Sequence, residues 1–199
     1  MRLGAVVLAA GRSRRMGAEK MVLPFGDSTV LGTVLATLAR AGVEGPSTVV
    51  VVRPGLGGVG EVVSAAGASV VVNPEPEAEM MSSIRLGIEA LPGELDAIFV
   101  WPADHPAVSV ETVRLLASRG ERGLALIPTW KGRRGHPALV GEQLRAAAAA
   151  CPDEGGLRKL WRARLEAVRE IEVEDPGVVA DADTPEAYQA ALRIWRERI

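Results

Sequence analysis

Short apolar runs alternate along the chain with segments of helical periodicity. Leu3–Ala9 is apolar throughout, as expected of a strand covered on both faces. Ser47–Val52 (STVVVV), Ser69–Asn73, Ala97–Trp101 and Leu124–Pro128 predict further strands, the first of them rich in β-branched residues that suit a pleated surface. Pro137–Val140 predicts a short strand and Ala167–Val173 another. Between them, Thr29–Ala41 predicts a helix with Asp27 or Ser28 as its N-cap and Gly42 as its terminator. Glu61–Ala66 predicts a weaker helix beyond the glycine cluster Gly55–Gly60, and Ser82–Leu91 one ended by Pro92-Gly93. Ser109 caps a helix to Arg119, Glu142–Ala150 and the basic Leu157–Arg164 are helical, and Thr184-Pro185 opens a last helix, with Pro where a missing N–H costs nothing. The alternation predicts an α/β fold: a mostly parallel, Rossmann-like sheet with helices on both faces, in one domain over residues 1–199.

In such a sheet ligands sit outside the carboxyl ends of the strands. Three polar stretches fall at such ends: Gly11–Lys20, Asp104–Pro106 and Asp181–Thr184. The first carries Arg12, Arg14, Arg15 and Lys20 directly after a buried run. The net charge is only −2, which gives no global electrostatic case for nucleic acid or a membrane surface, so an anion site has to be local. Gly11 lets backbone approach a ligand, successive N–H groups form an anion-binding concavity, and Arg and Lys suit phosphate. Known phosphate fingerprints fit poorly. Lys20 falls two residues too late after Gly17 for a Walker A loop, and no G-x-G-x-x-G is present. The spacing alone leaves a phosphate loop and a solvated basic turn equally open.

Cys151 is the single cysteine; it supports neither an internal disulfide nor a cysteine zinc site and suits a reducing cytoplasm. No run approaches the roughly 18 apolar residues of a membrane span, and Gly4–Ala10 reads as a strand rather than a leader.

At this point the sequence resembles a known family. Leu8-Ala9-Ala10-Gly11-x-Ser13-x-Arg15-Met16-Gly17-x-x-Lys20-x-x-Leu23-Pro24 is similar to the signature loop of the MobA-like NTP transferases, in particular the molybdenum cofactor cytidylyltransferases. Their fold is the nucleotide-diphospho-sugar transferase type. In that family the loop wraps a nucleoside triphosphate. The resemblance implies nucleotide contacts from Leu8, Ala9, Ala10, Gly11 and Ser13, with Arg15 and Lys20 on the phosphates as the catalytic cations; Arg12 and Arg14 fall at variable positions. Met80-Met81-Ser82-Ser83-Ile84-Arg85-x-Gly87 resembles the family segment against base and ribose, which implies Ser83 as a nucleotide contact. Glu79 stands at a usual Gly and Met81 at a usual Ser.

Asp104-His105-Pro106 resembles the family's Asp-x-Pro, whose Asp binds Mg²⁺, a cation that takes carboxylate and phosphate oxygens. His105 stands where Gln is usual. Asp181-Ala182-Asp183-Thr184-Pro185 resembles the late Asp-x-Asp-Thr-Pro motif, which implies a second metal carboxylate from Asp181 or Asp183. Gly132–Pro137 (GRRGHP) resembles the acceptor-side turn, which implies Gly135 and His136 as acceptor contacts; Arg133 and Arg134 are either further contacts to its phosphate or a solvated turn.

The resemblance implies transfer of a nucleotidyl group to a phosphorylated small molecule with release of pyrophosphate. Ala10 follows the pattern of CTP users, where GTP users carry Gly. CTP and the molybdopterin form of the molybdenum cofactor are then the implied substrates, with a molybdoenzyme or its chaperone as recipient. A guanylyltransferase of the same cofactor, a cytidylyltransferase acting on a sugar or isoprenoid phosphate, and a non-catalytic nucleotide-binding delivery protein are the alternatives, the last kept open by Glu79. The missing glycine fingerprint argues against an NAD-binding domain.

Overall fold

A computed structural model describes residues 1–11, 19–75 and 80–198 of the chain. Its strands and helices run in the order β1 (Leu3–Ala9), β2 (Pro24–Phe25), β3 (Ser28–Thr29), α1 (Val30–Arg40), β4 (Thr48–Val52), α2 (Val59–Ala65), β5 (Ser69–Val72), α3 (Met80–Ala90), β6 (Ala97–Pro102), α4 (Val110–Arg119), β7 (Ala125–Trp130), β8 (Arg133–Arg134), β9 (Ala138–Gly141), α5 (Glu142–Ala149), α6 (Gly156–Ala163), β10 (Val168–Glu172) and α7 (Pro185–Arg196).

The main sheet has the order β10-β7-β9-β6-β1-β4-β5, with β8 added to β7. β1 pairs in parallel with β4 and β6, β4 with β5, and β7 with β10. β9 lies antiparallel between β6 and β7. That reversal brings the start of β9, and the His136-Pro137 step before it, to the edge where β1, β4, β6 and β7 end. The expected mostly parallel α/β sheet is therefore present, with one reversed strand at its centre.

The uninterrupted apolar character of β1 follows from its position. Ala5, Val7 and Ala9 join a core cluster with Leu31, Leu35, Val113 and Leu116 on the α1–α4 face. Val6 and Leu8 join Met81, Ile84, Leu144 and Trp161 on the α3–α5–α6 face. Successive side chains point to opposite faces, so a strand buried twice has no polar positions. A third, smaller cluster joins Phe25 and Val30 to Ala191 and Leu192, with Tyr188 and Trp195 packed against it.

Two expectations are corrected. The first helix is capped by Thr29, whose Oγ1 accepts the Gly32 N–H at 3.0 Å, not by Asp27 or Ser28. Residues 24–29 close into a small antiparallel hairpin first, and a pairing of two residues per strand leaves no periodic signal. The helix predicted from Ser82 already includes Met80, so Ser82 and Ser83 lie inside α3.

Candidate active site

The carboxyl edge of β1 and β6 is fixed by main-chain pairing. Leu8 aligns with Pro102, and the Ala103 N–H continues the ladder to the Leu8 carbonyl at 3.0 Å. Ala10-Gly11 and Asp104 therefore leave adjacent strands side by side. Among the described residues, a Cβ on Gly11 would meet nothing within 4 Å. Ala9 is 1% exposed and its methyl lies in the core, so it offers a ligand its backbone alone. Leu8 is nearly covered and turns toward the α3 face.

Lys20 begins a single 3₁₀ turn, Lys20–Val22, that leads into the hairpin. It is 5% exposed. Its ammonium reaches Asp183 Oδ1 at 2.6 Å and Asp104 Oδ2 at 3.3 Å. Three chain segments far apart in sequence thus converge on one cation. A buried lysine requires such partners, since an unpaired charge there would be strongly disfavoured. The segment carrying Asp183 is held from below by the Ala182 N–H, which donates to the Asp104 carbonyl at 2.9 Å. Thr184 caps α7 by accepting the Ala187 N–H at 3.2 Å.

The two late aspartates have different positions. Asp183 faces Lys20. Asp181 Oδ1 accepts the Asp183 N–H at 3.0 Å, an Asx turn that shapes the loop. The sequence left the choice between them open; in the structure Asp183 converges with Asp104, and Asp181 supports it.

Asp104 Oδ1 also meets His105 Nδ1 at 2.8 Å. Burial alone would raise the Asp104 carboxyl, but His105 and Lys20 outweigh it and hold the group below the usual carboxylate range, so it is ionised at neutral pH. The His105 and His136 rings meet edge to face with centroids 4.8 Å apart. Burial, the His105 charge and the nearby Arg158 lower the His136 pKa to about 4, against the opposing pull of Asp104. His136 is therefore neutral at pH 7.

Gly135 has a structural task. Its N–H donates to the Pro128 carbonyl at 2.8 Å, and the next N–H, of His136, donates to the Val178 carbonyl at 2.8 Å. A Cβ on Gly135 would stand 2.3 Å from the Val178 oxygen. The Gly135 N–H is thus already used within the turn. Of the two turn arginines, Arg134 Nε donates to Glu170 at 2.7 Å and Arg133 is exposed.

Ser83 is buried, and its hydroxyl accepts from Asn73 Nδ2 at 2.9 Å; Ser82 accepts from the same amide at 2.8 Å. Asn73, 2% exposed, closes β5 by donating its N–H to the Val52 carbonyl and ties the start of α3 to the sheet. Sequence reasoning passed over it, although an Asn-Pro step at a strand end was a usable signal. Asp175 was also passed over. It accepts from the Ser109 N–H at 2.9 Å, the Thr112 hydroxyl at 2.7 Å and the Gly177 N–H at 2.8 Å, and it pairs with Arg198. A carboxylate satisfied this fully is structural.

Beside the Lys20 cluster lies a cleft of about 980 Å³ on the α3–α6 face. Leu8, Met81, Ile84 and Trp161 are among its apolar lining, and His136 joins it to Asp104. Ser13, Arg15 and Glu79 lie outside the described residues. Among the described residues no group of three or more His, Cys, Asp or Glu is assembled for a metal. The carboxylates of Asp104 and Asp183, already gathered around an ammonium, are nevertheless a hard oxygen pair that suits a divalent cation sharing substrate phosphates.

Residues 5–171 match the family model for the MobA-like NTP transferase domain. The chain belongs to the MobA-like NTP transferase family. It is a nucleotidyltransferase of that kind, and the sheet order and the carboxyl-edge site fit the same assignment. This MobA-like chain is 24% identical over 197 residues to the molybdenum cofactor cytidylyltransferase of Escherichia coli K12, covering 98% of each. It is 35% identical over 178 residues to the 2-C-methyl-D-erythritol 4-phosphate cytidylyltransferase of Streptomyces coelicolor, covering 84% of this chain and 63% of that enzyme. Among solved structures, a nucleotidyl transferase from Methanothermobacter superposes with a TM-score of 0.84 at 26% identity, covering 99% of both chains. A manganese complex of Rv0371c from Mycobacterium tuberculosis H37Rv superposes with a TM-score of 0.74 at 27% identity, covering 97% of this chain and 99% of that one.

Proposed function

We propose that this MobA-like transferase moves CMP from CTP to a phosphate of the molybdopterin form of the molybdenum cofactor and releases pyrophosphate. An acceptor phosphate oxygen bonds to the α-phosphorus as the bond from that phosphorus to the β-phosphate bridging oxygen breaks, and pyrophosphate carries away the electron pair. The nucleophile is already an anion, so the site needs positioning and charge stabilisation rather than a base. The observation that carries the reading is the convergence of Asp104 and Asp183 on Lys20 at the ends of β1 and β6.

Asp104 and Asp183 would hold Mg²⁺, which when bound neutralises phosphate charge and fixes the triphosphate. The manganese complex of the mycobacterial relative supports a divalent ion in this family. Lys20 and Arg15 neutralise the transferring and leaving groups. Ala10-Gly11 and Ser13 border the nucleotide, with Leu8 and Ala9 as the wall behind them. Ser83, held by Asn73, sets the start of α3 against the ribose side. Ala10 favours CTP because its methyl leaves less room for a purine. His136 faces the acceptor as a neutral ring. Among the described residues no helix is long and apolar enough to cross a membrane, and the lone Cys151 suits work in the cytoplasm, with a molybdoenzyme or its chaperone as recipient of the product. The identity to the Streptomyces enzyme favours, as a second reading, a cytidylyltransferase acting on a sugar or isoprenoid phosphate.

The test is pyrophosphate release by purified protein with Mg²⁺, each of the four nucleoside triphosphates and a panel of phosphorylated acceptors that includes molybdopterin and 2-C-methyl-D-erythritol 4-phosphate. Release that needs CTP and molybdopterin together is expected. Release with GTP alone, or only with the erythritol phosphate, replaces the reading. Nucleotide binding without release under any acceptor identifies a delivery protein.

A further inference from the structure

Lys20 has two tasks that its geometry sets against each other. Its ammonium lies 2.6 Å from Asp183 Oδ1 and 3.3 Å from Asp104 Oδ2. Those carboxylates are the ones that suit a divalent ion, while the lysine suits phosphate. The other oxygen of Asp104 is engaged: Oδ1 meets His105 Nδ1 at 2.8 Å, and the Trp101 indole N–H fixes the His105 carbonyl at 3.2 Å. A metal ion held by Asp104 Oδ2 and Asp183 Oδ1 would therefore need the room that the ammonium fills, and two cations packed so closely repel.

The backbone around this point is tied down. The Val22 N–H donates to the Glu19 carbonyl and the Leu23 N–H to the Lys20 carbonyl, both at 3.2 Å. Glu19 pairs with Arg53, the residue directly after β4, so the Lys20 turn is fastened to the strand beside β1. The Asp104 and Asp183 segments are joined by the Ala182 N–H on the Asp104 carbonyl at 2.9 Å. Movement is left to the four-carbon stem of Lys20, which can re-aim a compact charge without shifting the backbone. A lysine only 5% exposed can leave one set of anions at low cost only for another. Phosphate oxygens are acceptors of that kind.

We infer that Lys20 is the built-in counter-ion of the metal carboxylates: its ammonium holds the place that the divalent ion takes, and the triphosphate draws the ammonium off as the ion enters. This rests on the nucleotidyl-transfer reading for the presence of ion and triphosphate. Without nucleotide the Asp104–Asp183 pair is then a poor metal site, because the ion must evict a buried cation that has nowhere to go. With nucleotide, ion and triphosphate bind as a pair, each raising the affinity of the other by the same factor.

The experiment titrates Mn²⁺ into the full chain without nucleotide and reads the paramagnetic resonance signal of unbound Mn²⁺. Lys20→Met and Lys20→Gln remove the competing charge, and each should bind the ion at least tenfold more tightly than native protein. Lys20→Arg keeps a cation there and should stay within threefold of native. Adding Asp183→Asn to Lys20→Met should abolish the gain. Thermal midpoints of the same samples should rise more with Mn²⁺ in the neutral variants than in native protein. Equal or weaker Mn²⁺ affinity in the neutral variants, a gain of the same size in Lys20→Arg, or a gain that survives Asp183→Asn overturns the inference. Failure of native protein to release pyrophosphate from CTP with any acceptor would instead strike the nucleotidyl-transfer reading, while the Mn²⁺ arms still decide whether Lys20 and a divalent ion share one place.

Discussion

Lys20, Asp104 and Asp183 form a mutually dependent set at the residue scale. The carboxylates pair with a buried ammonium, and the ammonium holds the carboxylates close. Asp183 faces this centre and Asp181 shapes the loop. Asp183→Asn should therefore reduce turnover at least a hundredfold, about 2.7 kcal/mol of transition-state stabilisation. Asp181→Asn, which keeps an acceptor oxygen, should stay within tenfold. Steady-state pyrophosphate release on the two variants checks this; a larger loss from Asp181→Asn would reverse their roles.

His136 adds a pH dependence. Its folded pKa of about 4 lies below the ordinary value of 6.5. As pH falls below 6.5 the unfolded chain takes up a proton that the folded chain refuses, so stability declines down to about pH 4 and then levels for this group. Its share is roughly 3 kcal/mol across that window. Urea unfolding at pH 7 and pH 4.5 should show a smaller loss for His136→Asn than for the native protein.

At the scale of elements, the site depends on how tightly α3 lies on the sheet. A Cβ on Gly87 would stand 2.3 Å from Val6 Cγ1 and 3.1 Å from Val51 Cγ2. Gly87→Ala should push α3 off β1 and β4 and cost about 1–3 kcal/mol, measured as a lowered urea midpoint. Because α3 carries Ser83 to Asn73, nucleotide affinity should fall with it.

The sequence foretold elements far better than it foretold their ends. β1 and β4 were legible because double burial removes every polar position. The 24–29 hairpin was not, because its strands are too short to show alternation, and its presence moved the α1 cap to Thr29. The polar clusters at strand ends were legible as a site from their placement. That Asp183 rather than Asp181 meets Lys20 was not, since both share one motif and only the fold separates them. The placement of β9 was also beyond the pattern, because Pro137–Val140 reads as a strand with no sign of its direction.

At the scale of the whole molecule, the reversed β9 joins two functions. It carries His136 to the same edge as Asp104, so the cleft under α6 opens beside the Lys20 centre. Asp104, His105 and His136 form one line of contacts there, across which the proposed nucleotide and acceptor would meet. α7 closes the arrangement from behind: Thr184 caps it next to Asp183, and Tyr188 bonds the Pro24 carbonyl in the hairpin that follows Lys20. In the proposed nucleotidyl transfer this assembly makes Lys20 and Asp104 the working pair. The most direct measurement is CTP-dependent pyrophosphate release by Lys20→Ala and Asp104→Ala beside native protein, with thermal midpoints recorded on the same samples. A loss of at least a hundredfold in each variant with the fold retained is expected; near-native release from either would contradict that pairing.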